Sequence, residues 1–304
     1  MKDIMTIRSL EKKDLLEAAK FCRANMELDS MPDFLFEEKT IIDKDFNSST
    51  TLIAEEENQI VGFMMGVVRP LQTGKCGYIK LMAVKSDLRR KGIASKLYEI
   101  IHEKFIELGC ERERIYESHP NYFMPGVDPR YTEAICFIER KGFKKFGDTS
   151  NLLCDLVTQD FSTTEEEKQI VKHNLIVKRA EKNDLTPTIE FLKNDFEAWV
   201  PEVTRAFQND PISVHVCIHE GKVVGFSAYD TNNLNTGWFG PMGTSPSLRG
   251  KNIGGILLKR CLADQKAQGH QFAIIPWVGP IPFYMHYCNS KVQRVFWRYE
   301  KLLD

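Results

Sequence analysis

The chain has 304 residues, 42% of them apolar and 27% charged, which is enough for two ordinary domains with cores of their own. Lysine plus arginine (41) nearly cancels aspartate plus glutamate (42), so no overall field recruits nucleic acid or an anionic membrane. No run approaches the roughly 18 apolar residues of a membrane span, and the segment Met1 to Lys20 lacks the basic-then-apolar order of a signal peptide.

Thr6 to Arg8 reads as a strand and Lys13 to Phe21 as the helix that follows it. A hairpin comes next: Leu52 to Ala54, a turn at Glu57-Asn58, then Ile60 to Phe63. A third strand spans Tyr78 to Val84. The turn Arg89-Arg90-Lys91-Gly92-Ile93-Ala94 then opens an amphipathic helix, with Ile93, Leu97, Ile100, Ile101 and Phe105 along one stripe. A further strand is expected near Arg114 to Glu117. It leads to a long loop, His119 to Tyr131, and a last helix around Phe137 to Phe143.

From Ile176 the order repeats. Ile176 to Lys178 precedes a helix at Asp184 to Leu192, and a hairpin joins Val214 to Ile218 with Val223 to Phe226. A strand at Trp238 to Thr244 then leads into Arg249-Gly250-Lys251-Asn252-Ile253-Gly254 and another amphipathic helix, to about Gln268. Gly62 and Gly225, each followed by phenylalanine, are 163 residues apart, and Arg89 and Arg249 are 160 apart. One domain length separates the copies, so the pattern is a tandem duplication rather than a solenoid. The expected domains are 1–160 and 175–304, joined by a polar linker over 161–174.

The repeated turn carries the chemistry. A helix N-terminus has unpaired N–H groups and a partial positive charge, and a pyrophosphate accepts both. Gly92, Ala94, Gly254 and Gly255 keep side chains out of the way, while Arg89, Arg90, Lys91, Arg249 and Lys251 add charge. The predicted cofactor-binding set is therefore Arg89 to Ala94 in the first copy and Arg249 to Gly255 in the second, including Ile93, Gly250, Asn252 and Ile253.

Arg-x-x-Gly-x-Ala at Arg89 to Ala94 resembles the acyl-CoA-binding motif of the GNAT acetyltransferases. So do the phrases leading into the two turns, Leu81 to Leu88 and Met242 to Leu248. The resemblance covers nearly the whole chain. It implies an α/β (α+β) fold of two successive GNAT domains, each a mixed β-sheet splayed open and flanked by helices, with acetyl-CoA in the gap. By that resemblance, backbone groups of Met82, Ala83 and Val84, and of Met242, Gly243 and Thr244, pair with the pantetheine arm. The second copy departs from the pattern, with Asn252 where the first glycine is usual.

Many members of the family carry a tyrosine in a phrase like Phe-Tyr-x-x-x-Gly-Phe, which protonates the departing thiolate. The first half matches the frame at Phe137 to Phe143 but places Ile138 at the tyrosine. The second half has Phe283-Tyr284, with Cys288-Asn289 replacing Gly-Phe. The resemblance thus implies Tyr284 as the catalytic acid and the C-terminal half as the catalytic one. The loop from His119 to Tyr131, stiffened by prolines, is read as an acceptor-pocket wall. Glu117 and Asp128 are expected to hold an ammonium or hydroxyls, His119 to take a proton, and Trp277 to line a pocket.

His215, Cys217 and His219 alternate along one strand, but no fourth ligand is in view, so no metal is expected. None of the eight cysteines falls in a C-x-x-C pair, and they read as reduced core residues of a cytoplasmic protein. The expected activity is direct acetyl transfer from acetyl-CoA to a primary amine of a small molecule, an amino sugar first. Aminoglycosides and precursors of low-molecular-weight thiols are alternative acceptors. The rival of another class is an acyl-CoA-binding sensor or interaction protein without turnover.

Overall fold

The computed structural model describes residues 5–303. The chain forms two compact units, one running to Asp148 and resuming at Phe296, the other spanning Thr149–Val295. This division corrects the expected boundaries at 160 and 175. The chain leaves the first unit inside one strand and returns to it inside another, so neither passage is a linker.

In the first unit the strands are β1 (Thr6–Ser9), β2 (Thr51–Glu56), β3 (Gln59–Leu71), β4 (Gly74–Val84) and β5 (Arg112–Ile115). Its helices are α1 (Leu15–Asn25), α2 (Asp33–Lys39), α3 (Ile93–Glu107) and α4 (Thr132–Arg140). Strands β1 to β4 form an antiparallel meander and β5 joins β4 in parallel. The outer partner of β5 comes from the far end of the chain: Glu300, Lys301 and Leu302 lie antiparallel to Arg114, Glu113 and Arg112. They belong to the last strand, β12 (Lys291–Leu302), whose Phe296 and Tyr299 are buried in this unit's core.

The stripe on α3 is buried as its spacing predicts, apart from Ile100, which is half-buried. It packs where the sheet carries glycines. The Phe105 ring fills the space above Gly77, 2.4 Å from where a Cβ would stand, and Ile93 does the same at Gly62, 2.7 Å away. Gly77→Ala is therefore expected to cost about 1–3 kcal/mol by overpacking, seen as a lower midpoint in urea unfolding. An unchanged midpoint would show that Phe105 moves freely.

The second unit begins within β6 (Lys144–Asp155) and adds α5 (Thr164–Val171), β7 (Leu175–Arg179), α6 (Leu185–Asp195) and α7 (Val200–Ala206). It continues with β8 (Val214–His219), β9 (Lys222–Tyr229), β10 (Phe239–Thr244), α8 (Ile253–Ala267), β11 (Phe272–Ile275) and α9 (Ile281–Cys288). Strands β7 to β10 form the antiparallel part, while β11 pairs antiparallel with Leu152 to Asp155 of β6. The expected linker holds α5. Glu165, Glu166 and Glu167 occupy its first turn, where the helix dipole favours negative charge. Ile170 anchors α5 in the core, and Lys259 and Arg260 of α8 bind Glu166 at 2.5 Å and Glu167 at 2.6 Å. One apolar anchor and two ion pairs are too few for a composition-based reading to find.

Candidate active site

In each unit the parallel strand pairing stops before the inner strand ends. In the first unit β4 pairs with β5 only from Cys76 to Ile79, and the Tyr116 N–H closes the run on the Ile79 carbonyl at 2.8 Å. From Lys80 to Val84, β4 continues against β3 alone. In the second unit the parallel contact is a single bridge, Trp238 to Ile274, after which β10 runs on against β9. Met82 to Val84 and Met242 to Thr244 thus border open strand edges. Pro241, just before the second of these segments, has no N–H to donate.

The glycine turns have the same backbone path. The first takes left-handed angles at Arg90 (φ 63) and Gly92 (φ 87), the second at Gly250 (φ 81) and Asn252 (φ 61). Glycine and non-glycine exchange places, but the alternation is preserved, and asparagine tolerates that region better than most residues. The departure at Asn252 therefore leaves the turn intact. Neither helix carries a side-chain N-cap bond, so no N-cap side chain occupies the first-turn N–H groups of α3 and α8. The cations differ. Arg89 is engaged, its guanidinium on Glu133 at 2.7 Å and on the Asn25 carbonyl at 3.1 Å. Arg90, Lys91 and Arg249 are exposed, and Lys251 is half-exposed.

Helix α9 packs on the start of α8. The Phe283 ring lies 3.3 Å from where a Gly254 Cβ would stand, and the Tyr287 ring 2.2 Å from that of Gly255. Only glycine permits that approach. In the first unit Phe137 and Lys141, at the matching positions of α4, approach Tyr98 instead, a turn further along α3.

Tyr284 projects from α9 between two rings, edge-on to Phe239 at 6.2 Å and to Phe283 at 5.1 Å. Phe239 is the first residue of β10, so the tyrosine stands where that strand's open edge begins. It is 9% exposed, and burial holds its pKa above the ordinary tyrosine value. Its counterpart Ile138 is fully buried and offers no chemistry.

The predicted acceptor residues are placed differently from expectation. Glu117 is buried and accepts hydrogen bonds from Arg298 at 2.7 and 3.0 Å and from Arg114 at 3.0 Å. Burial raises its pKa despite both guanidiniums. Asp128 is 1% exposed and binds Arg130 at 2.7 Å. These carboxylates hold arginines, so neither stands ready for an ammonium. His119 is half-buried, with its N–H on the Glu117 carbonyl at 2.8 Å. Trp277 belongs to the second unit, takes a left-handed φ of 48°, and donates its N–H to Asn151 Oδ1 at 3.1 Å. Glu117, His119 and Asp128 belong to the first unit.

Sequence reading missed a buried charged cluster in the first unit. Lys80 is fully buried and paired with Asp43, which also binds Arg69 at 2.5 Å. Burial pulls Lys80 down to about 7 against the pull of Asp43. Lys39 joins through Asn121 at 2.7 Å. The available signal was a lysine inside the apolar run from Tyr78 to Val84. Among the described residues no group of histidine, cysteine and carboxylate side chains could hold a metal ion, and no helix is long and apolar enough to cross a membrane. His215 binds Asp264 at 2.7 Å, and Asp264 binds Arg179 at 2.5 Å.

Comparison with known proteins agrees with this geometry. The family model described as Acetyltransferase (GNAT) family matches residues 14–122 and 180–284. One similar structure is a GCN5-related glucosamine N-acetyltransferase region of a fungal multi-domain GH3 β-N-acetylglucosaminidase, with TM-score 0.82 and 16% identity over 99% of this chain. The chain spans 38% of that protein. A GCN5-related N-acetyltransferase from Sphaerobacter thermophilus aligns with TM-score 0.70 and 14% identity, covering 98% of this chain and 95% of that one. A tandem GNAT protein from the clavulanic acid biosynthesis pathway gives 0.69 and 11%, covering 98% of each. A search of curated protein sequences finds no match. With matching turns, matching splayed sheets and two matched regions, the chain belongs to the GNAT acetyltransferase family as a tandem, two-domain member.

Proposed function

We propose that the chain is an acetyl-CoA-dependent N-acetyltransferase acting on a primary amine of a small molecule, with catalysis in the C-terminal unit. The observation that carries this reading is Tyr284, a buried tyrosine held neutral at the open edge of β10 beside the turn Arg249 to Gly255. The turn suits a pyrophosphate: first-turn N–H groups without an N-cap side chain, left-handed positions at Gly250 and Asn252, and cations at Arg249 and Lys251. Acetyl-CoA supplies an acetyl thioester there. The free edge of Met242 to Thr244 orients the donor, and Tyr284 holds a proton at its hydroxyl for the sulfur as the C–S bond breaks. The acceptor amine attacks directly as the neutral base, and its surplus proton leaves to solvent.

An amino sugar is the favoured acceptor, supported by the fold shared with the glucosamine N-acetyltransferase region. The cytoplasm is the favoured location, since all eight cysteines are free thiols. The first turn, with the same backbone path, is a second candidate acetyl-CoA site. The sensor reading draws on Pro241, which removes a donor from the strand, and on the close packing of Phe283 and Tyr287 of α9 against the start of α8.

The test follows free thiol from acetyl-CoA with glucosamine-type sugars, aminoglycosides, polyamines and amino acids, beside calorimetric binding. Turnover with an amino sugar is expected. Arg249→Glu should raise KM for acetyl-CoA about tenfold, as loss of a charge-assisted phosphate contact implies. Binding without thiol release for any acceptor would favour the sensor. Turnover abolished by Arg89→Glu but untouched by Arg249→Glu would move catalysis to the first unit.

A further inference from the structure

We propose that Trp199, stacked on Phe196 beside the open edge of β10, seats the ring of an aminated pyranose, the acceptor of the second unit. This role rests on the reading of the second unit as the catalytic one. It supplies an acceptor contact that Glu117 and Asp128 do not.

Phe196 and Trp199 lie where α6 gives way to α7, on a short turn that sets one ring against the other. The Phe196 N–H donates to the Leu192 carbonyl at 2.7 Å, and the Trp199 N–H to the Phe196 carbonyl at 2.9 Å. The rings are parallel to within 8°, with centroids 5.2 Å apart. Both meet Phe226 of β9 edge-on, at 6.0 and 6.2 Å, and Phe191 of α6 closes the group 5.7 Å from Phe196. Phe196 reaches β10 with the tip of its ring, 2.7 Å from where a Gly243 Cβ would stand. Gly243 lies opposite Phe226 in the register, so the aromatic group sits on one face of β9 and β10. Gly243 is also the middle residue of Met242 to Thr244. The stack is therefore anchored on the segment proposed to orient the donor.

Trp199 keeps one face spare. It meets Phe196 on the other face and Phe226 at an edge, and among the described residues no further ring stacks on it. It is half-buried, as is Phe196. Asp195 and Glu197 flank Phe196 in the chain and are exposed, so negative charge lies beside the rings. A flat apolar face next to carboxylates suits a compact ring that has C–H groups on one side and carries an ammonium. The C–H groups pack on the indole, and the electron-rich ring and the carboxylates both favour the ammonium. An extended polyamine offers the charge without the flat face.

The first unit has no such platform. Ala83 stands where the second unit has Gly243, and its Cβ occupies the place the Phe196 ring tip takes. No tryptophan precedes Trp199 in the chain. Phe63, which follows Gly62 as Phe226 follows Gly225, is fully buried against Phe36 at 5.4 Å.

The experiment uses the full chain beside Trp199→Leu, which keeps an apolar side chain on Phe196 without the flat face, and Trp199→Phe, which restores a ring. Glucosamine binding with CoA present is read by saturation-transfer NMR with irradiation at the aromatic frequencies. Turnover of glucosamine and of putrescine is read as free thiol. In the unaltered chain the C–H protons of one sugar face should receive more saturation than those of the other, and Trp199→Leu should lose the difference. The ratio of kcat/KM for glucosamine to that for putrescine should fall about tenfold in Trp199→Leu, the worth of one aromatic contact, and recover in part in Trp199→Phe. Glucosamine that fails to bind the unaltered chain, or takes saturation equally on both faces, overturns the platform without any variant, whichever amine is acetylated. An equal fall for both amines overturns the specificity. One-sided saturation that Trp199→Leu abolishes, with no thiol released, upholds the platform and overturns the catalytic reading instead.

Discussion

Tyr284→Phe is expected to lower kcat about a hundredfold, the lower range for loss of a positioned acid, while the Kd of acetyl-CoA stays unchanged. Phenylalanine keeps the edge-on contacts to Phe239 and Phe283, so the fold should tolerate the change. No hydrogen bond from the hydroxyl to another described residue would be lost, so no buried partner is orphaned and the melting temperature should hold. Steady-state kinetics with acetyl-CoA and an amino sugar, beside calorimetric binding, separate the outcomes. A variant that turns over normally removes Tyr284 from the chemistry. One that loses binding and turnover together makes it part of the cleft wall.

The same residue sets a pH expectation. Burial raises the folded-state pKa of Tyr284 above the ordinary value near 10. The tyrosine therefore keeps its proton through the neutral and mildly alkaline range, and its basic limb in kcat lies above pH 10. Its stabilising contribution is fully present below the unfolded value. It is lost as pH rises from there through the raised folded value. Alkaline unfolding should thus be less steep for Tyr284→Phe than for the unaltered chain.

A chain ending at Val295 is expected to lose the fold of its first unit. It lacks Phe296 and Tyr299, buried aromatics whose truncation costs about 3–5 kcal/mol each. It also lacks Arg298, which leaves the buried Glu117 with Arg114 alone, and Glu300, the partner of Arg112 and Arg114. Removing one partner of a buried ion pair costs about 3–5 kcal/mol. Together these losses match the whole stability of an ordinary domain, about 5–15 kcal/mol. Limited proteolysis of the truncated chain should digest residues 5–148 and spare 149–295. Protection of both segments equal to that in the full chain would refute the dependence. Tyr299→Ala alone should lower the urea midpoint while leaving the chain folded.

Much of this structure was legible in the sequence because it is local. Strand, turn and helix succeed one another within about 30 residues around each glycine turn, and the apolar spacing on α3 reports its buried face directly. The tandem fold followed from seeing that pattern twice. What escaped was partner choice. Residues 291–302 carry β-forming Val292, Val295, Phe296, Trp297 and Tyr299, but nothing in them names the sheet they join, since the partners Arg112 and Arg114 lie nearly 190 residues away. Glu117 and Asp128 read as free carboxylates for the same reason: residue type shows a charge and not the guanidinium that holds it. Asn252 stood out as a departure from the pattern because the letter changed. The left-handed angle it adopts was invisible until the backbone was in view.

The return of the last strand to the first unit also orders events during synthesis. When residue 148 leaves the ribosome, β5 has no outer partner, and Glu300 to Leu302, which supply one, are more than 150 positions behind. At about 5–20 residues per second they arrive about 7–30 s later. Through that interval the nascent first unit presents an open strand edge, the kind of surface that pairs with other chains. The residues of the second unit, by contrast, form one continuous stretch, 149–295, and can close first. The half made later is thus the half positioned to finish folding earlier, and chaperone demand should fall on the N-terminal unit.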